Sequence, residues 1–179
     1  MEMTMVPTAF YDLAIFKGLA RDEVDTIGRL ANPRNFAKGD VLFQERNAAN
    51  YLDIIWSGAV EIKKNDCDGE ARVITVIQAP GVIGEMSLMS GQARSCTGTA
   101  ISDVMLYRIR REDFMAEIDK GTLAAHKVVF NLAQLMSARL RSVDEKLVDL
   151  LNEKDEVTVE VRGSELSDFR KKLFNEWAF

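Results

Sequence analysis

The sequence predicts an α+β protein: an antiparallel β-roll of jelly-roll type, with short N-terminal helices before it and a long C-terminal helix after it. Three observations predict this. Between Asn35 and Val104, apolar and β-branched residues come in short runs separated by turn residues, the pattern of hairpins that fold into a sandwich or roll. On both sides of that region apolar residues recur at three- and four-residue steps, the period of a helix buried by one face. The last such stretch, from about 123 to 152, is much longer than the others.

After Pro7, the residues Phe10, Leu13, Ile15 and Phe16 mark a short helix, and Val24, Ile27 and Leu30 give residues 19–30 one apolar face. The strand candidates are 40–43, 51–56, 58–63, 71–77, 96–100 and 104–109. Turn chemistry punctuates them at Lys38-Gly39-Asp40, Ser57-Gly58, Asp66-Cys67-Asp68-Gly69 and Ala79-Pro80-Gly81. A short helix is expected over 111–118. In the long helix, Val129, Leu132, Met136, Leu140, Val143, Leu147 and Leu150 alternate three- and four-residue steps, a heptad seam able to pair two copies of the chain. The alternative is that the stripe lies on the chain's own roll, but a helix this long exceeds what a small roll covers. Residues 156–162 alternate as a strand, and Ser164 caps an amphipathic stretch carrying Leu166, Phe169, Leu173 and Trp177. The expected organisation is one domain over 8–152, with the roll at about 35–110 and the helix at about 123–152, and a short strand and helix extension over 153–179.

Composition bounds the function. With 47% hydrophobic and 28% charged residues among 179, the chain reads as an ordinary globular protein. A net charge of -5 speaks against a broad nucleic-acid footprint, which needs a basic face. Cys67 and Cys96 lack CxxC spacing, and the single histidine, His126, has no ligand at metal spacing, so no metal site or disulfide framework is predicted. The N-terminus has no basic n-region or apolar h-region, and no apolar run approaches a membrane span. A soluble, cytoplasmic protein is expected. No Ser-His-Asp, Cys-His or P-loop arrangement is present, so no enzyme and no cofactor are predicted.

Ligand chemistry is concentrated in Gly84-Glu85-Met86-Ser87-Leu88-Met89-Ser90-Gly91-Gln92-Ala93-Arg94-Ser95-Cys96-Thr97-Gly98-Thr99-Ala100. Gly84-Glu85 opens a short helical turn, and the free amides of Met86 and Ser87 at its start suit an anion. The Ser90-Gly91-Gln92 turn brings back Arg94, whose forked donors suit a phosphate. The bland alternative is that Glu85 and Arg94 pair with each other across the turn.

The order of these parts resembles the cyclic nucleotide-binding domain family, the sensory module of catabolite-activator-type regulators and of cyclic-nucleotide-dependent kinases and channels. The resemblance covers about Phe10 to Asn152 and rests on Gly84-Glu85, Leu88, Arg94-Ser95 and Ala100, with Gly39 before one strand and Ser57-Gly58-Ala59-Val60 after another. It implies a ligand, cAMP or cGMP, with Glu85 accepting from the ribose 2′-hydroxyl, Arg94 neutralising the cyclic phosphate, and Ser95 touching phosphate or base. Cys96 stands where the family has a small residue. Departures from the family pattern follow from the same resemblance. Arg46-Asn47 replaces the usual glycine after Glu45, with Asn47 expected to take the left-handed turn position. Ala93 replaces the proline before the arginine, and the loop before Gly84 is one residue shorter. Thr75 and Gln78 stand where apolar residues flank the purine, and Val143-Asp144 aligns with the hydroxyl pair that reads the base. The resemblance further implies a homodimer through the long helix and a protein partner. Direct DNA binding is not expected, since 27 residues follow Asn152 where a helix-turn-helix domain needs roughly 50. The competing reading is a degenerate roll that serves as a dimerisation or docking module and no longer binds nucleotide.

Overall fold

A computed structural model describes residues 8–48, 50–66 and 68–155. The expectations for 156–162 and 164–177, and for Cys67, lie outside the described residues. The chain divides into two compact units, 1–136 and 137–179.

The first unit begins with two 3-10 turns, Thr8–Asp12 and Ala14–Phe16, then α1 (Arg21–Gly28). Eight strands follow: β1 (Ala31–Phe36), β2 (Val41–Phe43), β3 (Tyr51–Ser57), β4 (Ala59–Asn65), β5 (Ala71–Gln78), β6 (Gly81–Ile83), β7 (Thr97–Ala100) and β8 (Val104–Arg110). A short helix α2 (Glu85–Ser90) lies between β6 and β7, and α3 (Arg111–Asp119) and α4 (Leu123–Asp155) follow β8. The predicted first helix is therefore a pair of 3-10 turns, because Phe10, Leu13 and Phe16 are spaced by three and fit the tighter winding.

The strands form two antiparallel sheets, ordered β1-β8-β3-β6 and β2-β7-β4-β5, which confirms the predicted roll. Two strands escape the sequence pattern. β1 carries Pro33 and is mostly exposed, which is tolerated because β1 is an edge strand and a missing N–H there leaves no ladder bond unmade. β6 is only three residues long. Alternation along β3 sets the layers: Leu52 and Ile54 join one core, Ile55 the other. Between the sheets pack Leu42, Ile55, Val60, Ile62, Ile83, Ala100, Val104 and Leu106. On the other face of the first sheet, Leu52, Ile54, Val82 and Ile109 pack against Phe10, Phe16, Ile27, Phe114, Val128 and Leu132 from the helices and turns. Trp56 takes part through edge contacts with Tyr107.

The first turns of α4 are anchored to the N-terminal segment by polar as well as apolar contacts. Buried Asn131 donates its amide hydrogens to the carbonyls of Ile15 and Lys17, each at 2.9 Å, and Lys127 pairs with Glu23 at 2.7 Å. The predicted seam of α4 thus divides. Leu132 is fully buried in the chain's own core and Val129 packs against it, whereas Leu140 and Val143, in the second unit, are exposed. Among the described residues no helix is long and apolar enough to cross a membrane.

Candidate functional site

β6 runs into Gly84, whose φ of 94° is left-handed, a state open to glycine at little cost. Space demands glycine too: a Cβ there would collide with Nη1 of Arg94 and lie 2.6 Å from the carbonyl oxygen of Tyr51. This turn starts α2 at Glu85. Glu85 and Ser87 are buried, while Met86 and Met89 face outward. Gly91 ends the helix at φ 70°. The chain then returns to Arg94, which is only 4% exposed.

Arg94 is held at both its backbone and its head. Its N–H donates to the Asn47 carbonyl at 2.9 Å, and its carbonyl accepts from the Arg46 N–H at 2.8 Å. The residue that takes the left-handed turn position is Arg46, at φ 67°, and not Asn47 as the sequence suggested; the two bonds to Arg94 fix the turn one residue earlier. Nη2 of Arg94 donates to the Tyr51 carbonyl at 3.0 Å, and the guanidinium lies over the Phe43 ring, 4.5 Å from its centre. Burial pulls the Arg94 pKa below its ordinary value, and the charge of Asp53 is the strongest of those resisting this, ahead of Glu85.

Asp53 is fully buried and sits directly opposite Arg108 across the β3–β8 pair. Nε and Nη2 of Arg108 donate to its two carboxylate oxygens at 2.7 and 2.8 Å, a bidentate pair. The Arg108 head also covers the Tyr51 ring at 4.5 Å, since Tyr51 and Asp53 are two apart on one strand and share a face. Burial works against the Arg108 charge, but the hydrogen bonds to Asp53 and its charge outweigh it and raise the pKa. Buried Arg94 and Asp53 and half-buried Tyr51 and Arg108 therefore form one continuous polar row behind the turn. At the far end of α2, Nε of Arg111 donates to the Leu88 carbonyl at 3.0 Å.

Of the residues singled out from sequence, the structure brings together Gly84, Glu85, Met86, Ser87, Arg94, Ser95 and Cys96. Ser95 is exposed and Cys96 half-buried; burial pushes the Cys96 thiol up. Thr75 and Gln78 lie exposed on β5, and Val143 and Asp144 lie exposed on the second unit. Sequence reasoning missed Phe43, Tyr51, Asp53, Arg108 and Arg111. The signal for two of them was present: Asp53 in Leu52-Asp53-Ile54-Ile55 and Arg108 in Leu106-Tyr107-Arg108-Ile109 are single opposite charges interrupting apolar strands. Chemically, the turn combines a buried cation, a carboxylate acceptor and helix-start amides, a set suited to a small ligand carrying one negative charge and a hydroxyl.

Residues 33–120 match the family model described as Cyclic nucleotide-binding domain. The chain carries a cyclic nucleotide-binding domain of the catabolite-activator type. It is 33% identical over 138 residues to the Cyclic AMP receptor protein of Thermus thermophilus, covering 77% of this chain and 62% of that protein. The solved Thermus thermophilus Catabolite Activator Protein superposes with a TM-score of 0.67 at 33% identity, over 78% of this chain and 63% of that one. A solved cyclic nucleotide-binding domain from Methylobacillus flagellatus shares the fold, with a TM-score of 0.72 at 22% identity over 80% and 81% of the two chains. The chain thus spans under two thirds of the length of the Thermus protein. Within the domain, the cassette recognised from sequence is the segment from Gly84 to Ala100 that joins β6, α2 and β7.

Proposed function

We propose that this domain is a sensor for cAMP or cGMP, bound at the turn between β6 and β7. Arg94 meets the cyclic phosphate, joined by the amides of Met86 and Ser87 at the start of α2 and by the Ser95 hydroxyl, and Glu85 accepts from the ribose 2′-hydroxyl. The observation that carries this reading is the burial of both Arg94 and Glu85 in one glycine-framed turn. A guanidinium taken out of water is costly unless an anion or an organised acceptor set compensates it. Arg94 directs one N–H to the Tyr51 carbonyl, and its fork has further donors for a phosphate.

Occupancy is transmitted by biasing the packing of the following helices, which requires that ligand favour one packing over another. The Arg111 bond from the first residue of α3 to the Leu88 carbonyl of α2 supports such a link. The exposed Leu140 and Val143 support pairing of two copies along α4, and a protein partner reads the result. Titration calorimetry with cAMP and cGMP tests the reading. Binding by the wild type and a loss of roughly 10- to 100-fold in Arg94→Ala are expected, the range for a charge-assisted hydrogen-bond set. No binding by the wild type overturns it in favour of a docking module, and undiminished binding by Arg94→Ala overturns the site assigned here. Light scattering of the wild type and Leu140→Glu checks the paired state, with the variant expected to be monomeric.

A further inference from the structure

We infer that Phe43 is a positioning residue for ligand capture, an aromatic rest that presets the Arg94 guanidinium; this rests on the cyclic-nucleotide reading above. Phe43 is the last residue of β2, and its ring supports the Arg94 head at 4.5 Å. A guanidinium over an aromatic face is attracted by the ring's negative quadrupole, and the attraction grows where water is excluded. Arg94 is in that situation, because burial disfavours its charge and the ring is one of the few groups placed to offset this.

The ring is itself held in place. Phe43 pairs opposite Gly98 in β7, and a Cβ at Gly98 would stand 2.5 Å from Cε1 and Cζ of the ring. Glycine at 98 is therefore what lets the ring lie flat against β7. The residues just after Phe43 grip the backbone of Arg94 as well, through the Arg46 N–H and the Asn47 carbonyl. One short segment, 43–47, thus fixes Arg94 at its main chain and at its charged end, with the Tyr51 carbonyl setting the rotation of the head at 3.0 Å. An arginine has many rotamers to lose on binding. Holding it in advance moves that loss from the binding step into folding, so the ring contributes to affinity without touching the ligand.

The test compares Phe43→Leu, Phe43→Tyr and Gly98→Ala with the wild type. Phe43→Leu keeps apolar bulk and removes the π face; it is expected to bind cAMP or cGMP roughly tenfold more weakly, with an unchanged far-ultraviolet circular dichroism spectrum. Phe43→Tyr, which keeps the face, is expected to bind within twofold of the wild type, by the same cation–π argument. Gly98→Ala displaces the ring and is expected to weaken binding as Phe43→Leu does. A ligand-free arm reads the stack directly: the Arg94 Cδ protons are shifted upfield by the ring current in wild-type spectra and return toward ordinary values in Phe43→Leu. Binding by the wild type that Phe43→Leu retains in full overturns this inference alone. Unshifted Arg94 protons in the wild type overturn it without any ligand. Absence of binding by the wild type overturns the functional reading, and the role of Phe43 in capture with it.

Discussion

Removing the charge of Asp53 is the most informative perturbation of the polar row behind the turn. Asp53 has no exposed surface, and its partner Arg108 is only 16% exposed in its side chain. Asparagine at 53 keeps the shape and one acceptor, but it places an amide N–H against the second Arg108 donor and leaves two guanidinium groups, half-buried Arg108 and buried Arg94, without their shared counter-charge. Breaking a buried pair from one side costs about 3–5 kcal/mol, and the residual exposure of Arg108 sets the lower end of that range here. A loss of about 3 kcal/mol is a large fraction of the total of roughly 5–15 kcal/mol for a domain. It lowers the melting temperature by about 10 °C for a chain of this size. Urea unfolding of the wild type, Asp53→Asn, and Asp53→Leu with Arg108→Leu measures it. The double variant is expected to recover most of the loss, because no charge of the pair is left unpaired. The loss is expected to be nearly the same at low and high salt, since a buried pair is little screened. An Asp53→Asn variant within about 1 kcal/mol of wild type, well below the cost of an orphaned buried charge, would refute the reasoning, as would a double variant no more stable than the single one.

Three other outcomes follow from the same geometry. Gly84→Ala is expected to cost about 2 kcal/mol or more, combining a left-handed backbone with a Cβ forced against Arg94 and the Tyr51 carbonyl, and to weaken nucleotide binding by displacing Arg94; urea unfolding and calorimetry check both. Arg46→Gly is expected to stabilise the chain by about 0.5–1 kcal/mol, since φ 67° strains any side-chain-bearing residue while the extra freedom of unfolded glycine returns part of the gain. Glu23 has its pKa lowered from the ordinary 4.5, first by its hydrogen bond to Lys127 and then by the Ala20 N–H. A carboxylate with a lowered folded pKa stabilises above its unfolded pKa and loses that contribution as pH falls through the folded value. Melting temperature measured from pH 6 downward, about where the linkage argument places the plateau, is expected to fall less steeply in Glu23→Gln than in the wild type.

The linear pattern of residues determined much of this protein by itself. Alternation and turn chemistry marked six of the eight strands, because half-buried hairpins impose a period of two and turns demand glycine, proline or aspartate at fixed places. The glycine-framed acid and arginine marked the turn between β6 and β7 where ligand binding is proposed, because backbone conformation and charge are local properties. The edge strand β1, the three-residue β6 and the 3-10 character of the first turns left no such period to read. Tertiary structure decided which of two adjacent residues took the left-handed position, giving it to Arg46, since the deciding bonds run to Arg94. It also decided that Phe43, Tyr51, Asp53 and Arg108 gather around and behind Arg94. Asp53 and Arg108 are 55 positions apart, and only the register of β3 on β8 makes them neighbours. The heptad stripe of α4 shows the same division: its spacing was legible, but burial of Leu132 and exposure of Leu140 depend on where the chain's own core ends.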